Sequence, residues 1–295
     1  MGTPDQLRAQ LLAGMRSEDD GVRIESARGL LALQEYGDPT GTFLLEATLA
    51  ANRLNRFADA VFLTYHGMKV AQPGSLVWGE ILVNRAQVCA LVGYLPEAIT
   101  AGQLFLERVE TLPEKARSWI PHAHLAVAQA YDRMHHHGLA VPHHRVAATL
   151  FTDPEKSAIA TCNLAYSTAL TGHPQEAMEI LQQVEPSSLP THGRYVHASS
   201  MMLICHLLGR HEDALRAGDE ADKLAEGNED RLANPLTEMH LWMSMSAFAL
   251  GDRYRAGALG LYAAFVATRI GNTPLRDRAN AWLEEIMRQG GIHNA

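Results

Sequence analysis

Five times along this chain of 295 residues a turn-forming residue is followed, five positions later, by alanine. The pairs are Asn55 and Ala60, Gly93 and Ala98, Gly172 and Ala177, Gly209 and Ala214, and Gly251 and Ala256. Seven residues before the turn the side chain is usually small: Thr48, Ala86, Ala165 and Ser244, with Met202 the exception. A sixth copy fits with its turn near His135 and Ala128 as the small residue, which sets the turn-to-turn intervals at 38, 42, 37, 37 and 42 residues. Two helices joined at the turn explain the pattern. Gly or Asn takes the left-handed conformation that ends the first helix, and small residues on either side let the two backbones approach. One hairpin cannot bury its own apolar face. The spacing therefore predicts stacked hairpins forming an all-α, right-handed superhelix whose first helices line the inner side.

Composition supports the helical reading. Alternating Val, Ile, Thr and Tyr are nearly absent, while Ala, Leu, Gln, Glu and Arg fill blocks of 12 to 18 residues. Twelve of the thirteen prolines, Pro142 among them, read as punctuation between those blocks. A hydrophobic content of 47% excludes global disorder. With a net charge of -8 and a pI near 6.0, the chain has the wrong sign for a dedicated phosphate-backbone binder, so nucleic acid is not an expected partner. No run approaches the roughly 18 apolar residues that span a bilayer, and Met1 to Asp5 lacks the blocks of a signal peptide. Cys89, Cys162 and Cys205 show no CxxC spacing and read as free thiols buried in first helices, with a cytoplasmic address as the expectation.

The repeat core resembles the tetratricopeptide (TPR) motif. Its Gly-x-x-x-(Glu/Asp)-Ala signature is matched by Gly93, Glu97 and Ala98, by Gly172, Glu176 and Ala177, and by Gly209, Asp213 and Ala214, with Leu164-Ala165 as the first-helix pair. The resemblance covers roughly residues 40 to 270, with intervals longer than the family's usual 34 and no first-helix Trp. It implies an α-solenoid that binds proteins or peptides, as in bacterial regulators and adaptors. Three segments follow: an N-terminal helical cap over 1–38 that resembles a HEAT-like pair, the hairpin array over 39–270, and a capping helix with tail over 271–295. Leu275, Ala279, Trp282, Leu283 and Ile286 form the stripe of that last helix.

Histidine is the compositional outlier, at 15 copies. His122, His124, His135, His136 and His137 could supply imidazoles to a transition metal. The competing reading makes His135 to His144 a solvated turn broken by Gly138 and Pro142, with no carboxylate at a ligand spacing. No phosphate loop, dinucleotide fingerprint or nucleophile elbow is present, so the expectation is a protein that is not an enzyme and carries no cofactor. In the register of the hairpins, Asn52, Arg53, Asn84, Gln87, Gln129, Asn163, Tyr166 and Trp242 fall on the inner face. Amides that both donate and accept can bracket an extended peptide backbone, and the aromatic rings add flat contact area. The function expected is a scaffold or adaptor holding a partner segment on that face. The alternatives are a sensor of a small signalling peptide and a His-rich, metal-binding stress protein. Trp282 with Leu283 offers an apolar edge for a homodimer.

Overall fold

The computed structural model describes residues 4–35, 39–227 and 232–289. Every regular element among them is helical, and the chain divides into two units, Met1–Leu150 and Phe151–Ala295. That division falls inside the stretch read from sequence as a single array.

The first unit opens with a helical pair, α1 (Pro4–Gly14) and α2 (Asp20–Ala32), the second capped by the Asp19 carboxylate on the Val22 amide. Three hairpins follow: α3 (Thr42–Arg53) with α4 (Phe57–Val70), α5 (Leu76–Val92) with α6 (Leu95–Arg108), and α7 (Ile120–Arg133) with α8 (His137–Leu150). The second unit holds three more: α9 (Pro154–Leu170) with α10 (Pro174–Leu181), α11 (Thr191–Leu207) with α12 (His211–Ala225), and α13 (Ala233–Ala249) with α14 (Arg253–Arg269). A last helix, α15 (Thr273–Gln289), packs on α13 and α14. The segment Gly290 to Ala295, read as a tail, lies outside the described residues.

All six hairpins close alike. The turn residue is left-handed in each, with φ of 56° at Asn55, 96° at Gly93, 59° at His135, 89° at Gly172, 72° at Gly209 and 82° at Gly251. The next amide donates to the carbonyl five residues back: Arg56 to Ala51, Tyr94 to Cys89, His136 to Tyr131, His173 to Thr168, Arg210 to Cys205 and Asp252 to Ala247. This bond satisfies one of the orphan carbonyls at the end of the first helix. The sixth copy also keeps its alanine, Ala140, and all six alanines are 0% exposed. Thr48, Ala86, Ala128, Ala165, Met202 and Ser244 on the facing helices are equally buried.

The histidine-rich stretch departs from expectation. Only Met134 to His136 form the turn; α8 begins at His137 and runs through Pro142, so that proline lies within a helix rather than between helices. His144 is completely buried, and the sequence does place a carboxylate beside this cluster, that of Asp132. Hairpin geometry overrides the local breaker: a buried Ala140 and Ala147 fix which face of α8 meets α7.

Within each unit the first helices lie side by side, α3 against α5 against α7 and α9 against α11 against α13, while the second helices pack on first helices. The first helices of each unit thus form one layer, the face that the sequence reading takes as the inner one. Its core lies beneath, built in the first unit around Ile81, Leu82 and Phe105 and in the second around Leu181, Leu203 and Met243. Burial at this density, at about 25 cal/mol per Å² of apolar surface, drives the stacking. The expected apolar edge at Trp282 and Leu283 is not free. The Trp282 indole donates to Ser244 Oγ at 2.8 Å and meets the Phe248 ring edge-on at 5.3 Å, and Leu283 packs on the same core. Closing the last hairpin takes priority over presenting these side chains outward.

Candidate functional site

The first helices of the first unit carry five of the eight residues singled out from sequence, and they divide by what their polar atoms already hold. Arg53, at the end of α3, is engaged by both carboxylate oxygens of Asp20, at 2.5 and 2.7 Å, and ties α3 to the N-terminal pair. Asn84 on α5 is buried, donates to the Glu80 carbonyl one turn back at 2.9 Å, and accepts from Asn52 Nδ2 at 3.3 Å. Asn84 is therefore consumed in stitching α3 to α5, while the Asn52 carbonyl oxygen is buried with no donor. Gln87 on α5 and Gln129 on α7 are half-buried, and neither amide has a partner among the described residues. Neither amide has a fully buried atom, so each stays open to water and is free to exchange it for a bound backbone.

In the second unit, Tyr166 on α9 reaches across α11 to donate to Glu238 Oε2 on α13 at 3.3 Å. The other oxygen of Glu238 faces Arg278 of α15 at 3.4 Å, and that guanidinium stands 5.7 Å from the Trp242 ring centroid. His206 packs against the same indole with ring centroids 5.1 Å apart and hydrogen-bonds to Ser246 through Nδ1 at 2.8 Å. Desolvation, with a smaller push from His211, lowers the His206 imidazole to about 4, so it is neutral near pH 7. The Trp242 indole nitrogen is buried with no acceptor, and Asn163 on α9 is half-buried with an unpartnered amide. Sequence reasoning missed Arg278, because α15 was read only as a cover. Its position one residue before Ala279, on the flank of the buried stripe, was the available signal.

Of the five histidines considered as metal ligands only His135 and His137 are seen ring against ring, with centroids 5.9 Å apart. His124 Nδ1 faces His143 Nδ1 at 2.9 Å, His137 Nδ1 pairs with Asp132 at 2.9 Å, and His135 and His136 sit exposed at the turn. His122 stands half-buried on α7. Asp132 holds His144 Nε2 at 2.7 Å with its other oxygen, which ties the end of α7 to the middle of α8. Burial, with the neighbouring His143 adding to it, lowers His124 to about 4. Among the described residues no group of three or more His, Cys, Asp or Glu side chains is placed to hold a metal ion. The cysteines are buried and their thiols are pushed up by desolvation, Cys162 to about 12. Such thiols are protonated and poorly nucleophilic.

The helical hairpins superpose on those of solved structures. A tetratricopeptide repeat protein from Parabacteroides merdae superposes with a TM-score of 0.53 at 12% identity, covering 86% of this chain and 94% of that one. A Rap protein complexed with Competence and Sporulation Factor superposes with a TM-score of 0.52 at 14% identity, covering 98% of this chain and 88% of that one. No family model matches the sequence, and no curated protein does. The fold is therefore that of the TPR-like helical-hairpin proteins, shown by structure where sequence identity is too low to carry it.

Proposed function

We propose that this protein is a non-catalytic interaction module that holds an extended segment of a protein or peptide partner on the inner faces of its hairpins. The observation carrying this reading is the set of half-buried amides without partners among the described residues, Gln87, Gln129 and Asn163. Each sits on a first helix, and an extended backbone offers alternating donors and acceptors that match them. Asn52 and Tyr166 flank these positions, while Asn84 and Arg53 act as scaffold. The Rap protein, of the same fold, has been solved with a factor bound, which supports binding as the use of such a framework. Among the described residues no helix is long and apolar enough to cross a membrane. The three free, buried thiols fit a cytoplasmic setting.

The test is affinity capture from native lysate by the wild-type chain and by a Gln87→Ala/Gln129→Ala/Asn163→Ala variant, with thermal melting as a folding control. The expected result is a partner retained by the wild type and lost by an equally stable variant. A partner held equally by both would move recognition away from the inner faces.

A further inference from the structure

A second surface lies in the first unit between α4 and the end of α5, lined by none of the amides above. Phe62 and Tyr65 of α4, Val92 at the end of α5 and Tyr94 at the start of α6 are 43%, 48%, 38% and 55% exposed. With Arg85 they line a groove of about 380 Å³. Aromatic side chains beside arginine, in a concavity, are the composition of an interface anchor rather than of ordinary surface.

Two cations flank this groove without meeting a carboxylate. Arg8, Arg28, Arg53, Arg56 and Arg117 each meet a carboxylate at 2.9 Å or less. Lys69 and Arg85 do not, and among the described residues of the unit neither do Arg16, which lies over the Phe43 ring, and Arg133, which donates to the Ala90 and Leu91 carbonyls. Lys69 Nζ stands 4.1 Å over the Tyr65 ring, and Arg85 lies 5.8 Å from the same ring with one nitrogen 3.5 Å from the Val61 carbonyl. The carboxylate of α4, Asp59, is already held by Arg28 and Arg56. Glu97, in the first turn of α6, is exposed and pairs with neither cation. In a chain of net charge -8, two cations kept against an aromatic ring and without a carboxylate mark a local site of opposite sign.

We propose that this groove docks an acidic, apolar segment of a partner protein, with a leucine- or phenylalanine-class side chain in the aromatic trough and a carboxylate on Lys69 and Arg85. The site is separate from the inner-face reading and does not depend on it. Charge complementarity selects the occupant, because a basic or neutral segment would leave both cations unpaired.

The experiment is to pan a displayed library of random twelve-residue peptides on the full chain, discarding clones that also bind a Lys69→Glu/Arg85→Glu variant. The strongest surviving clone is then titrated as a labelled synthetic peptide. Aspartate or glutamate beside an aromatic or leucine residue is expected in the surviving clones. Affinity should fall about tenfold or more in Lys69→Glu/Arg85→Glu and in the milder Lys69→Ala/Arg85→Ala, and stay unchanged in Gln87→Ala/Gln129→Ala. The proposal is overturned if no clone survives, if the survivors show no acidic excess, or if the Lys69→Ala/Arg85→Ala chain binds as wild type. It is equally overturned if the wild-type chain self-associates and the variants do not, which would give the groove to a second copy.

Discussion

Asn84 and Gln87 stand three residues apart on α5 and have opposite fates. Asn84 is buried and bonded to Glu80 and Asn52, whereas Gln87 is half-buried with its amide unspoken for. Replacing Asn84 by Ala should lower unfolding free energy by about 1 kcal/mol, the ordinary net value of a lost hydrogen bond, with some further cost from the stranded Asn52 amide. Replacing Gln87 by Ala should leave stability unchanged within about 0.5 kcal/mol and weaken partner binding. Urea titrations of the two variants check the contrast, and equal losses would erase the distinction between scaffold and site. Sequence could put both side chains on the inner face, because helical periodicity fixes direction. It could not say which amide was consumed, since that depends on whether a residue 32 positions earlier comes within reach. Arg278 escaped for the same reason, its partners Glu238 and Trp242 lying on another helix.

At the scale of the element, the hairpins were legible because their chemistry is local: a left-handed turn residue and an alanine five places on are both visible in one dimension. The sixth hairpin was the hardest to see because His135 occupies the position that Gly holds in four of the others. An L side chain at φ 59° is strained, so His135→Gly should stabilise the chain by about 1 kcal/mol, read as a rise in melting temperature. Glycine also separates close approach from open surface. A Cβ at Gly102 of α6 would stand 2.4 Å from Val127 Cγ2, on a stiff side chain of α7, whereas a Cβ at Gly257 of α14 meets nothing within 4 Å. Gly102→Ala should cost about 1 to 3 kcal/mol and Gly257→Ala should gain up to about 1 kcal/mol. Calorimetry giving the same sign for both would contradict this packing. The misreading of Pro142 belongs here as well: a proline is a strong local signal, but six turns of identical geometry outweigh it.

For the whole molecule, the division at Leu150 was not legible, because the sequence repeats across it without a change in composition or a long linker. Titration is likewise a property of the assembled chain. Burial lowers His66, His124, His143, His197 and His206 below their ordinary value, with His124 and His206 at about 4. These groups favour the folded state while neutral, so their contribution is complete above about pH 6.5 and is lost as pH falls toward 4. Urea midpoints should therefore fall between pH 6.5 and 4.5, where most carboxylates remain ionised, and His124→Gln/His206→Gln should flatten the slope. A midpoint independent of pH over that range would contradict the burial of these rings.

The central claim is that a partner segment lies along the inner faces, against the amides the fold leaves unpaired. A photo-crosslinking amino acid placed singly at Gln87, Gln129, Asn163 and, as an outward-facing control, Leu261 tests it most directly in the presence of the captured partner. The account predicts cross-links from the first three positions and none from Leu261, which is 62% exposed on α14. Cross-links from Leu261 alone, with the inner positions silent, would contradict it.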